Sequence, residues 1–135
     1  MKFLATFLSA TFLAACGAKT SDEQRVREVF DRAEKSAEAR DASDVLDLVS
    51  SDYGDSNGSD KAQLQDFLRG YFLAHPKLEL LVSVDSLEFP VDGLAQAAVT
   101  VTTVEVANPD RESLAVELRR VDGEWRVTRA DRIAR

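Results

Sequence analysis

Cysteine and histidine each occur once in this 135-residue chain, and the two scarcities exclude whole classes of chemistry. A single thiol, Cys16, can close no internal disulfide. A lone His75 excludes a histidine-rich metal site, and no Cys–His pairing remains once Cys16 is otherwise engaged. Long apolar runs are missing as well. The charge-free stretch from Phe3 to Ala15 is too short to span a bilayer as an ordinary helix. There is no basic cluster: 17 basic residues stand against 24 acidic ones. That balance argues against nucleic acid, whose affinity comes mainly from phosphate neutralisation, and against electrostatic adhesion to anionic lipid. Gly54 and Gly58 are separated by polar residues and follow no strand, so a phosphate-binding loop is not supported. No tract is repetitive or of low complexity.

What is present at the N-terminus has a definite build. Met1-Lys2 carries one positive charge, the apolar run follows, and it ends in Leu13-Ala14-Ala15-Cys16-Gly17. Small residues ahead of the cut suit a signal peptidase. The cysteine in the next position makes Leu13 to Cys16 resemble the bacterial lipobox. The resemblance implies that residues 1–15 are a signal peptide cleaved between Ala15 and Cys16, and that Cys16 carries the lipid. The plainer alternative, an ordinary secreted protein, leaves an unpaired thiol in an oxidising compartment without a reason. Gly17, where many inner-membrane lipoproteins carry Asp, favours the outer membrane facing the periplasm. Cleavage removes Lys2 from the 17 basic residues, leaving 16 against 24 acidic and a formal charge of −8. The remaining length suits one domain with a single core.

Residues 16–20 read as a short tether, and 21–135 as the domain. Ser21 and Gln24 have capping-box spacing, followed by Val26, Val29, Phe30, Ala33 and Ala37 on one helical face to about Arg40. Asp41-Ala42-Ser43 restarts a short helix bearing Val45, Leu46, Leu48 and Val49. Residues 50–59 form a polar loop around Tyr53. Asp60 and Gln63 cap a third helix carrying Leu64, Phe67, Leu68, Tyr71 and Phe72, which His75-Pro76 ends. From Lys77 the period becomes that of a strand, through Leu78, Leu80, Val82 and Val84. The apolar phase slips by one at Leu87 and Phe89. A second strand spans Ala95 to Ala107, with another slip between Val101 and Val104. Asn108-Pro109-Asp110 turns into a third strand (Leu114, Val116, Leu118). Asp122-Gly123 makes a hairpin with the fourth (Trp125, Val127, Ile133). Phase slips of this kind are what β-bulges produce, and bulges bend sheets.

Three helices followed by four antiparallel strands define an α+β fold, helices on one face of a curved sheet. The long first helix, the Asp41–Leu46 restart, the Tyr53 loop, the Phe67–Phe72 helix and the closing Asp122–Val127 hairpin together resemble the nuclear transport factor 2-like (cystatin-like cone) superfamily. That resemblance implies a sheet wrapped around the first helix, open at one end. The cone is an apolar pocket in many relatives and a filled core in others. Many relatives pair through the outer sheet face, where Thr100, Thr102, Ala115 and Val121 would permit a homodimer.

The candidate pocket residues are Tyr53, Asp55, Tyr71, Trp125, Arg129 and Asp131. Alternation places Arg129 and Asp131 on the face of Trp125 and Val127, toward the open end. The plainer reading is an ion pair closing the terminal strand. Tyr53 and Tyr71 could serve as oxyanion donors in an enzyme of this family, but no catalytic motif is matched position by position. Trp125 and the Phe67–Phe72 stripe are expected in the core, and His75 as a helix terminator that favours the dipole. No metal or cofactor is implied. The expectation is a lipid-anchored envelope protein whose domain binds a small apolar ligand or a protein partner without catalysis. The alternatives are a proton-transfer enzyme of isomerase, dehydratase or cyclase type and a structural accessory of envelope assembly.

Overall fold

A computed structural model describes residues 17–104 and 109–133, with side chains from Ser21 onward. The expected signal segment 1–15, Cys16, Val106 and Asn108 therefore lie outside the described residues. Helix α1 (Gly17–Glu38) starts four residues before Ser21, so Ser21 is inside the helix rather than at its cap, and residues 18–20 are helical rather than a tether. Ala18 and Lys19 are good helix formers with no proline to halt them. The expected apolar face is buried: Val26, Val29 and Phe30 are each at most 9% exposed. Past the helix end, Arg40 takes a left-handed φ of 55° and its N–H donates to the Ala37 carbonyl.

Asp41 then caps α2 (Ala42–Leu46), its carboxylate accepting from the Asp44 N–H at 3.0 Å. Arg32 and Ser36 of α1 both bond the Asp44 carboxylate, Arg32 at 2.6 Å, which fixes the two helices together. Helix α3 (Lys61–Ala74) opens on the expected capping box, with both halves formed between Asp60 and Gln63. His75 closes it, its N–H donating to Tyr71. The Phe67–Phe72 stripe is only partly core: Phe72 is buried, whereas Phe67 is 58% exposed. Helix α3 packs on α2 rather than under the sheet, so only the α2 side of the stripe is covered.

Strands β1 (Leu80–Val91), β2 (Leu94–Thr103), β3 (Asp110–Val121) and β4 (Glu124–Arg132) form one antiparallel meander in sequence order. Asp122 and Gly123 both have positive φ, 52° and 79°, as a tight two-residue hairpin requires. The β4 edge is covered by residues 48–50, with a parallel bridge between Val49 and Val127. The Val82 N–H donates to Glu34 of α1 at 2.9 Å, which occupies an edge donor of β1 that could otherwise template another strand.

The phase slip expected before Leu87 is a bulge between Val84 and Ser86. The slip expected between Val101 and Val104 is absent: β2 pairs with β3 without a break from Leu94 to Thr103, and Val104 simply lies beyond the strand end. A bulge that the alternation did not reveal sits in β4, where Val127 pairs with Leu118 but Arg129 pairs with Glu117. Thr128 is the extra residue, and its Oγ1 donates to the Glu117 carboxylate at 2.8 Å. The core lies between α1 and one sheet face, where Val26, Val29 and Phe30 meet Ala95, Val99, Val116, Leu118 and Trp125.

Candidate functional site

The β4 bulge decides where the candidate residues go. Side chains alternate along a strand, and one inserted residue flips everything after it. Arg129 and Asp131 therefore share the outer face with Glu117 and Ala115, opposite the face of Trp125 and Val127. The expectation that they share the face of Trp125 and Val127 is corrected on this ground, while the plainer reading of the two as an ion pair matches their contact at 2.5 Å. The six candidates separate into three places.

At the C-terminal end of β4, Tyr53, Asp55, Arg129 and Asp131 come together. Asp55 closes its own loop by accepting from the N–H groups of Asn57 and Ser59 at 2.9 and 3.0 Å, the bonding habit that makes aspartate a turn residue. The buried Tyr53 hydroxyl donates to the other Asp55 oxygen at 3.2 Å, with the Ala130 carbonyl at 3.4 Å. Burial, helped by the Asp55 and Asp131 charges, pushes its pKa up to about 12. Asp131 accepts from the Ser56 N–H and Oγ, both at 2.7 Å, and from Arg129 Nε at 2.5 Å. The Ser56 amide first, then Arg129 and the Ser56 hydroxyl, hold its carboxyl down at about 2. A tyrosine this weakly acidic and a carboxylate this weakly basic are poorly matched to proton transfer near neutral pH. Their bonds pin the 53–60 loop to β4.

These values carry a pH prediction. A carboxyl depressed in the folded state stabilises the fold above its unfolded value, here 3.8, and that contribution fades as pH falls toward about 2. The stability difference between wild type and Asp131→Asn should thus be flat above pH 5, shrink as the solution is acidified through 3.8, and level off only below about pH 2. Denaturant melts across that range check it. A difference independent of pH would show that Asp131 is not bound as an anion.

At the opposite end of β4, Trp125 is 5% exposed. Its indole N–H donates to Asp22 of α1 at 3.3 Å, Phe89 meets it edge-on at 5.8 Å, and the Arg120 guanidinium lies 5.7 Å above the ring. Arg120 pairs in turn with Asp22 at 3.2 Å and Asp92 at 3.0 Å. Sequence reading missed Asp22, Arg120, Asp92 and Ser56. The Val-Asp-Gly triplet at 91–93, repeated at 121–123, was the available signal for the first hairpin. Asp22 had no local signal, since Trp125 is 103 residues away.

Tyr71 occupies the third place. Its ring stacks on His75 at 4.1 Å and near Phe67 at 5.9 Å, and the His75 ring Nδ1 is 2.8 Å from the Tyr71 carbonyl. Tyr53 and Tyr71 are thus engaged by separate partners rather than converging as a donor pair. Among the described residues no three His, Cys, Asp or Glu side chains are grouped to hold a metal, and no helix is long and apolar enough to cross a membrane. Among the surface depressions of the described residues, two bear on the candidates and on the apolar surface. One, of 440 Å³, lies on the outer sheet face beside Glu88, Gln96, Glu117 and Arg129. Thr100, Ala115 and Val121 share this face, on the register of β2, β3 and β4. The other, of 420 Å³, is lined by Ala39, Arg40, Ala42, Arg69, Phe72 and Leu73, between the end of α1, α2 and α3.

No protein-family model and no curated protein matches the chain. Solved structures do. A protein of unknown function with a cystatin-like fold from Nostoc punctiforme aligns over 83% of this chain and 90% of its own, at 17% identity and a TM-score of 0.68. A second domain of unknown function from that organism reaches 0.72 at 14% identity, over 86% and 78% of the two chains. A nuclear transport factor 2-like protein of unknown function from Shewanella oneidensis gives 0.68 at 11% identity, over 82% and 98%. At these identities the likeness establishes the fold alone, the nuclear transport factor 2-like, cystatin-like cone fold.

Proposed function

We propose that this chain is a lipid-anchored cell-envelope protein whose cone domain recognises a protein partner at its surface and performs no catalysis. The anchor half of the reading is supported by Leu13-Ala14-Ala15-Cys16. The recognition half is supported by one observation above the rest. The acid and base candidates are consumed in loop-closing bonds, while the apolar surface on offer lies outside, where Leu73 stands 85% exposed beside a groove. A large aliphatic side chain held in water on a rigid helix marks a contact surface when it borders a concave apolar site. Arg40 and Arg69 flank it, so the fitting partner presents an apolar side chain next to an acidic one. A small apolar ligand bearing a carboxylate fits the same groove, since its volume of 420 Å³ is within the range of small-molecule sites.

Leu73→Ser with Arg69→Glu tests this surface. Both positions are exposed, so the melting transition should stay within about 0.5 kcal/mol of wild type. A photo-crosslinker at position 73 should give in cells a discrete adduct that the Arg69→Glu change abolishes. An adduct indifferent to Arg69, or the same adduct from a crosslinker at Asn57, would discard the surface.

A further inference from the structure

We infer that the hairpin-tip end of the cone rests on the bilayer, with the Asp92-Gly93 and Asp122-Gly123 turns against ammonium-bearing lipid headgroups and the Leu73 groove held away from them. The inference rests on the lipid-anchor reading of Cys16. Its first support is the start of α1 at Gly17, directly after the cysteine. A flexible tether of n residues would let the domain wander about 5–6 Å × √n from its anchor, but here the chain is helical at once. From Gly17 to Asp22 the helix advances only about 8 Å.

The second support is what Asp22 touches. It accepts from Trp125 Nε1 and pairs with Arg120, which also holds Asp92 and whose N–H donates to the Gly93 carbonyl at 2.9 Å. The helix start and both hairpin turns are therefore locked at one end of the domain. At the other end of β4, Asp131 holds the 53–60 loop, and six strand residues separate Trp125 from Asp131 by about 20 Å. Helix α3 begins from that loop and leads back to the start of β1, so it belongs to the far end.

The tip surface has a chemistry of its own. Val91 and Val121 are 61% and 44% exposed, and each immediately precedes an exposed aspartate, with Asp92 87% exposed. Asp92 is compensated by Arg120, so Asp122 is the tip carboxylate that anionic lipid repels and that complements the primary ammonium of phosphatidylethanolamine. The valines suit the apolar boundary beneath it. The acidic balance that excludes binding to an anionic surface is thus compatible with this one.

The test uses full-length protein reconstituted in phosphatidylethanolamine–phosphatidylcholine vesicles. Because acylation blocks Cys16, thiols introduced singly by Glu124→Cys, beside the second turn and 70% exposed, and by Asn57→Cys can each be labelled with an environment-sensitive fluorophore. Nitroxide-bearing headgroup lipid should quench the label at 124 severalfold more than the label at 57. Equal quenching, or stronger quenching at 57, overturns the orientation. Mass spectrometry of the N-terminal peptide separates the two readings: a Cys16 without acyl chains overturns both, whereas an acylated Cys16 with equal quenching overturns only this one. Inserting about ten Gly/Ser residues after Gly17 should bring quenching at 124 down to the level at 57, with native Trp125 emission confirming the fold. Quenching that ignores the insertion would show that the helical junction does not orient the domain.

Discussion

Trp125→Ala is expected to cost about 3–5 kcal/mol, the range for truncating a large buried aromatic side chain, and so a large share of a small domain's stability. The indole fills the space between the start of α1 and the β3–β4 hairpin, against Val26, Val29 and Phe89. Its loss leaves a cavity that α1 cannot close, because Asp22 and Arg120 hold the helix in place beside it. The change also strips Asp22 of its indole donor and Arg120 of the ring beneath it. Denaturant unfolding measures the loss. The chain has one tryptophan, so its emission reports this place alone: blue-shifted and poorly quenched by acrylamide in the native protein. Emission like that of free indole in water, with the alanine variant melting like wild type, would show that β4 does not close the core.

Cys16→Ser should abolish lipidation and, with it, normal membrane retention of the mature chain. Each buried methylene contributes about 0.8 kcal/mol, and two or more acyl chains make attachment effectively stable. The chain has no basic cluster to hold it to anionic lipid in their place. Palmitate labelling should disappear and uncleaved or mislocalised precursor should accumulate. Undiminished labelling, with the variant still in the membrane fraction, would remove the anchor from the proposed function and the orientation with it.

Two of the sheet's register shifts, at Val84/Ser86 and at Glu117/Leu118, show why part of the fold was legible and part was not. At Leu87 the apolar phase itself shifts, since Val82 and Val84 before the bulge and Leu87 and Phe89 after it are partly buried against the core, and the slip can be read from the letters. In β4 the residues after the bulge are Arg129, Ala130 and Asp131. Ala130 is too small to mark an apolar phase, and a charged pair is compatible with either face. Simple alternation therefore set Arg129 and Asp131 inside. Pairing of Glu117 with Arg129 set them outside. The start of α1 was misplaced for a related reason. Ser21 and Gln24 offer a capping box, but a local capping preference of about 1 kcal/mol does not stop a helix when good helix formers precede it.

The sequence alone determined the order of elements, the capping of α2 and α3, the Asp122-Gly123 turn and the face of α1 that is buried. Each depends on residues within a few positions of one another, where backbone geometry and hydrophobic period act directly. Only the tertiary structure decided which side of the sheet Arg129 and Asp131 occupy. Tertiary contacts also gave the Trp125 indole Asp22 as its acceptor, and left Phe67 and Leu73 in water while Phe72 is buried. Those outcomes depend on strand register and on which neighbour covers a helix face. Both are set by contacts between residues far apart in the chain, and the local pattern is the same for either result.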